Sequence, residues 1–128
     1  MHQYHRPQTK KVSSGTGGKR VGFMDKRIAH LGRPFTATKA AKEEKKETVR
    51  VRSGVRKVRL KKAAFVNVMM EKGKSKKAKI NKVIESHNSE YVRQNIITKG
   101  AVLDTEVGKV KVTNRVGQDG LVNGVLVK

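Results

Sequence analysis

The sequence predicts an all-β protein: a small antiparallel β-barrel of six or seven short strands, preceded by a basic, extended N-terminal tail. Three observations lead there. Residues 63–128 hold twenty Val, Ile, Leu or Phe, twelve of them Val, and β-branched side chains suit a pleated, half-buried surface. From residue 48 onward, apolar and polar residues alternate in short runs with turn signals between them, the period-two signature of strands. Residues 1–42 contain only six strong core formers, Val12, Val21, Phe23, Ile28, Leu31 and Phe35, with neither alternation nor a helical stripe. A closed barrel is preferred to a sandwich because closure removes exposed edges.

The elements follow in order. Residues 13–18, SSGTGG, resist regular structure, since Gly costs backbone entropy and Ser competes for backbone hydrogen bonds. Residues 38–47, TKAAKEEKKE, have good helix formers but no apolar stripe, so they read as a linker or a solvated helical turn or two. Residues 1–47 are therefore expected to be a basic extension and linker, and residues 48–128 the barrel body. Val49 and Val51 alternate with Arg50 and Arg52; beyond the turn signal Ser53-Gly54, Val58 and Leu60 alternate with Lys57, Arg59 and Lys61. Residues 64–70 make a third strand, with Phe65 opposite in facing to Val66 and Val68. Residues 71–75 turn the chain, and residues 76–85 return it with Ala78, Ile80 and Ile84 inward. Residues 86–95 are polar with room for a helical turn around Tyr91. Strands follow at 101–104, 109–113 and 121–127, with a turn at 105–108 and a loop at 116–120.

Composition excludes much of chemistry. The 128 residues carry 31 Lys and Arg against 10 acids, a net charge of +21. Self-repulsion of that size points to a polyanionic partner. Aromatic residues make up 4% and Trp is absent, which argues against reading single strands mainly by stacking. The lack of Cys removes disulfides, cysteine-ligated zinc and thiol catalysis. No apolar run approaches the roughly 20 residues of a membrane span, and the N-terminus MHQYHRPQTKK lacks a secretory apolar core, so a soluble, cytoplasmic protein without membrane contact is expected. Residues 15–20, GTGGKR, suggest a phosphate loop, but Ser13 and Arg20 stand where that motif needs Gly and Ser or Thr. His2, His5, His30 and His87 form no cluster with metal-ligand spacing. Glu43, Glu44 and Glu47 sit among lysines, and Asp104, Glu106 and Asp119 fall at strand ends and turns. The expectation is no enzyme, no cofactor, no metal and no small-molecule substrate.

The positive signal is cationic. Residues 48–62 contain no acid, whereas solvated faces normally mix signs. Strand alternation puts Arg50, Arg52, Lys57, Arg59 and Lys61 on one face, with Arg56 presented at the turn. A second acid-free run holds Lys74, Lys76, Lys77 and Lys79. Arginine's planar fork suits phosphate oxygens. The tail adds Arg6, Lys10, Lys11, Lys19, Arg20, Lys26, Arg27 and Arg33.

Several segments resemble a known family. Tyr91-Val92-Arg93-Gln94-Asn95-Ile96-Ile97-Thr98-Lys99-Gly100-Ala101 is similar to a stretch of the archaeal and eukaryotic small-subunit ribosomal protein family usually called "eight-e". So are Thr113-Asn114-Arg115-Val116-Gly117-Gln118-Asp119-Gly120, Thr16-Gly17-Gly18 with Leu31-Gly32-Arg33, and Val49-Arg50-Val51-Arg52-Ser53-Gly54 with Arg56-Lys57-Val58-Arg59. The matches run in family order over nearly the whole chain, and the length resembles the compact archaeal form. The resemblance implies a structural, non-catalytic component of the small ribosomal subunit in the cytoplasm. Its partners would be small-subunit rRNA, bound by a β-barrel body and a tail threaded along the RNA, and neighbouring ribosomal proteins. Arg93, Lys99 and Arg115, in the segments that carry the resemblance, join the candidate RNA contacts. A DNA-compacting architectural protein is the alternative, since it would share the charge.

Overall fold

The computed structural model describes residues 3–4, 28–70 and 73–127. The chain divides into two compact units, Met1–Phe35 and Thr36–Lys128. In the first, Ile28–His30 make a 3-10 turn, and strands β1 (Gln3–Tyr4) and β2 (Leu31–Gly32) pair antiparallel. The second contains β3 (Lys39–Ala40), β4 (Lys45–Arg50), β5 (Arg56–Ala63), β6 (Phe65–Met69) and β7 (Ser75–Glu85). Helix α1 (Ser89–Arg93) follows, then β8 (Val102–Thr105), β9 (Gly108–Val112), helix α2 (Val116–Asp119) and β10 (Asn123–Leu126).

Five strands close a barrel in the order β10-β6-β7-β8-β9. Taken in chain order from β6 to β10, each reverses the direction of the one before it, so β10 runs parallel to β6. Closure of an odd number of such strands requires one parallel pair, and β10 beside β6 is that pair. The small all-β barrel thus stands, with five strands and a mixed rather than wholly antiparallel ring. Inside, Val66, Val68, Ala78, Ile80, Val83, Leu103, Val110 and Val112 are buried. Strand β6 faces as its alternation requires, with Val66 and Val68 in the core and Phe65 half-buried on the other side. In β7, Ala78 and Ile80 point inward as expected, but the register then shifts between Ile80 and Lys82 and again between Val83 and Glu85. The extra residue, Asn81, changes the parity, so Val83 enters the core in place of Ile84. Gly124 fits a tight ring: a Cβ there would sit 2.3 Å from Val110 Cγ1.

Two of the expected strands, β4 and β5, lie outside the ring in a three-stranded sheet of order β3-β5-β4. Strand β4 starts at Lys45, before the alternation begins; five of its six residues are exposed, which suits a charged edge strand. Leu60 and Ala63 of β5 are fully buried in the same apolar core as the barrel. Thr38, also fully buried, donates from Oγ1 to the Leu60 carbonyl at 2.6 Å. Its own carbonyl accepts from Ile97 N at 2.8 Å, and Ala40 N donates to the Asn95 carbonyl at 2.9 Å. Residues 38–40 therefore stitch β5 to the segment after α1. Asn95 adopts a left-handed φ of 53°, and its Oδ1 accepts from Val83 N at the second irregularity of β7. Where a loop was expected at 116–120, α2 makes one turn, ended by Gly120 at φ 70°, a conformation that glycine accepts without strain.

Candidate nucleic-acid interface

The β4–β5 hairpin decides how the cations are displayed. A two-residue turn at Ser53-Gly54 would have set Arg50 opposite Lys57. Instead Val51 N donates to the Val55 carbonyl at 2.8 Å, and Ser53 and Gly54 both take positive φ. The longer connection pairs Arg50 with Arg56, Thr48 with Val58, Val49 with Lys57 and Glu47 with Arg59. Directly opposite residues share a face, so the expected single face of Arg50, Arg52, Lys57, Arg59 and Lys61 is corrected. Arg50 and Arg56 occupy one side of the hairpin, while Lys57 and Arg59 occupy the other. The side chain of Arg52 lies outside the described residues.

The register also assembles a set that alternation along one strand cannot reveal. Lys62 of β5 is flanked by Lys39 of β3 and Lys45 of β4. Lys61 is the extra residue of a bulge there, because Lys45 pairs with Lys62 and Lys46 with Leu60. Alternation along β4 puts Lys45 on the side of Glu47 and Val49, the side of Lys57 and Arg59. One face of this sheet thus carries Lys39, Lys45, Lys57, Arg59, Lys61 and Lys62 around a single acid, Glu47. Lysines side by side across a sheet repel. Lys39, Lys45 and Lys62 escaped the sequence reading because β3, two residues long, pairs parallel with a strand twenty-odd positions away. No local pattern signals such a pairing.

Internal contacts hold part of this face in place. Arg59, half-buried, donates from Nη1 to Thr36 Oγ1 at 3.2 Å, and Lys57 Nζ reaches Gln118 Oε1 of α2 at 3.4 Å. Lys61 lies 3.4 Å from Glu47. On the outer side of the barrel, Lys77 Nζ sits 4.3 Å from the centre of the Phe65 ring, within cation–π range. Lys79 pairs loosely with Glu106 at 3.8 Å, both side chains more than half exposed. Lys76, opposite Val68, takes the alternate side of β7 but is exposed at its beginning. Arg93 is tied to Glu90 on α1, and this guanidinium, with the Gln94 amide, holds the Glu90 carboxyl below the ordinary carboxylate range. Lys99 is exposed in the turn before Gly100, and Arg115 is exposed at the start of α2. Arg33 is exposed in the first unit. Arg6, Lys10, Lys11, Lys19, Arg20, Lys26 and Arg27 lie outside the described residues.

Among the described residues, no three His, Cys, Asp or Glu side chains group where they could hold a metal. No described helix is long and apolar enough to cross a membrane. The chemistry on display is multivalent cation, suited to phosphate. Comparison with known proteins names the family: the profile described as ribosomal protein S8e matches residues 7–127. The chain belongs to that family. It is accordingly a structural ribosomal protein and not an enzyme. Three archaeal relatives named small ribosomal subunit protein eS8 are similar to it. That of Sulfurisphaera tokodaii is 50% identical over 115 residues, covering 88% of this chain and 90% of the relative. The Staphylothermus marinus protein is 46% identical with the same coverage of both chains. The Sulfolobus acidocaldarius protein is 43% identical over 130 residues, covering 100% of this chain and 99% of its own.

Proposed function

We propose that the protein works in the small subunit of the cytoplasmic ribosome, binding small-subunit rRNA through its cationic β sheet and basic N-terminal extension, beside neighbouring ribosomal proteins. The observation that carries this is the row Lys39–Lys62–Lys45 within a face of six cations and one acid. Such a face is repulsive in isolation. It becomes favourable against a phosphate backbone, whose neutralisation also releases counterions. The relatives' names supply the ribosomal subunit. In this reading residues 1–47 form the extension that follows the RNA and residues 48–128 the body. The end of the extension is anchored, since β3 and the start of β4 belong to the compact unit Thr36–Lys128. Backbone contacts position a protein and carry little sequence information, and the deep, narrow major groove of A-form RNA favours contact of this kind.

A filter-binding titration with small-subunit rRNA tests the proposal. The logarithm of affinity should fall with log salt by about 0.7–0.9 per phosphate contact, and six or more contacts make that slope steep. A nearly flat dependence overturns it. Competition with duplex DNA separates the alternative of a DNA-compacting protein, for which DNA would displace the rRNA at equal phosphate concentration.

A further inference from the structure

A second kind of contact site lies next to the lysine row. An open groove of about 700 Å³ is bounded by residues 40–42, by the joint between β5 and β6, and by residues 79–81 of β7. Its floor is apolar and shallow, because Ala41 and Ala64 are small. Phe65, half-buried and with Lys77 Nζ over one face of its ring, supplies an aromatic wall. Asn81 is the extra residue of the β7 bulge, and a bulge re-aims a side chain away from the regular pleat. Its amide is exposed and hydrogen-bonds to no side chain or backbone group among the described residues. Lys42 stands at the rim without an ion pair among them, and Lys79 is held only by the loose contact to Glu106. No acid is among the described residues that line the groove.

We propose that this groove takes one unpaired nucleotide of the RNA, its base against Phe65 and Asn81 and its flanking phosphates at Lys42 and Lys79. The inference rests on the rRNA-binding reading and deepens it from backbone contact to base contact. Each part of the groove has its counterpart in a nucleotide. Aromatic rings and small apolar side chains take the flat face of a base. A carboxamide both donates and accepts, as base edges do, and the edges of unstacked bases are what proteins read in single-stranded RNA. The two ammonium groups match the phosphates on either side. An apolar peptide segment would leave the Asn81 amide and both lysines unmatched. The scarcity of aromatic residues fits a single base pocket, since one ring serves one base.

The experiment uses the full chain and two fluorescent oligomers of equal length and charge, a short single-stranded oligoribonucleotide and its abasic counterpart. The base-bearing oligomer should bind about tenfold more tightly, the order of one base–aromatic contact. Phe65→Leu, which keeps apolar volume, and Asn81→Ala, at an exposed position, should each remove most of that advantage and leave the abasic affinity unchanged. The Asn81 side-chain amide resonances should shift with the base-bearing oligomer alone. Equal affinity for the two oligomers, or equal weakening of both by the variants, overturns the pocket and leaves phosphate binding standing. Binding of neither oligomer removes phosphate binding and the pocket with it. If Phe65→Leu melts early by circular dichroism, Asn81→Ala decides.

Discussion

Thr38 shows how much can depend on one hydroxyl. It is fully buried, donates to the Leu60 carbonyl, and lies in the segment that joins β5 to residues 95–97. Thr38→Val keeps the shape and deletes the donor, leaving a buried carbonyl short of a partner, which costs roughly 1–3 kcal/mol. The urea midpoint should fall accordingly without a change in slope; an unchanged midpoint shows that the hydroxyl is dispensable. Glu90 offers a quieter case. Its carboxyl is lowered by Arg93 first and Gln94 second, so the charged form gains in the folded state. That contribution is present above the ordinary carboxylate range and is lost as pH falls through the lowered folded value. Carbon-detected NMR titration should find Glu90 below the ordinary glutamate value, and Arg93→Ala should return it most of the way. Neither residue announces itself in the sequence: Thr38 sits in a polar run, and its burial depends on strands that come later in the chain.

At the scale of elements, the β4–β5 hairpin carries the functional argument. Strand identity was legible there, because the Val and Arg alternation is local. Facing was not, because the register hangs on the length of a connection, and one added position exchanges the faces. The cluster around Lys62 is the consequence that matters. Lys62→Glu places an acid between Lys39 and Lys45, turning two like-charge neighbours into opposite-charge ones worth roughly 0.2–1 kcal/mol each. The free protein should therefore melt slightly higher while rRNA affinity drops. A lower melting temperature together with unchanged affinity overturns the assignment of this row to phosphate. Arg59 behaves differently, since it is half-buried and bonded to Thr36. Reversing its charge should disturb the fold as well as binding, so it is the poorer probe.

For the whole molecule, a charge of +21 on 128 residues must oppose compaction wherever ions do not screen it. The Debye length shrinks from about 30 Å at 0.01 M salt to about 8 Å at 0.15 M. The melting temperature of the free protein should rise by several degrees across that range, and inorganic polyphosphate should raise it further at low salt. Calorimetry that finds no rise would mean that the cations are already balanced internally. Ten acids cannot balance 31 Lys and Arg, and exposed ion pairs such as Lys61–Glu47 and Lys79–Glu106 are weak.

The sequence by itself determined the class of the protein. Composition pointed to a polyanionic partner, alternation set the strands, and the concentration of Val in residues 63–128 set where the core lies, because each of these is a property of local chemistry. Residue pattern also sufficed for family membership. Tertiary structure alone decided that five strands close the barrel with one parallel pair, that a bulge at Asn81 brings Val83 into the core instead of Ile84, and that Lys39, Lys45 and Lys62 stand in a row. Each of these depends on which strands become neighbours and in what register. That choice is made by the burial of residues far apart in the chain, and no short stretch of sequence encodes it.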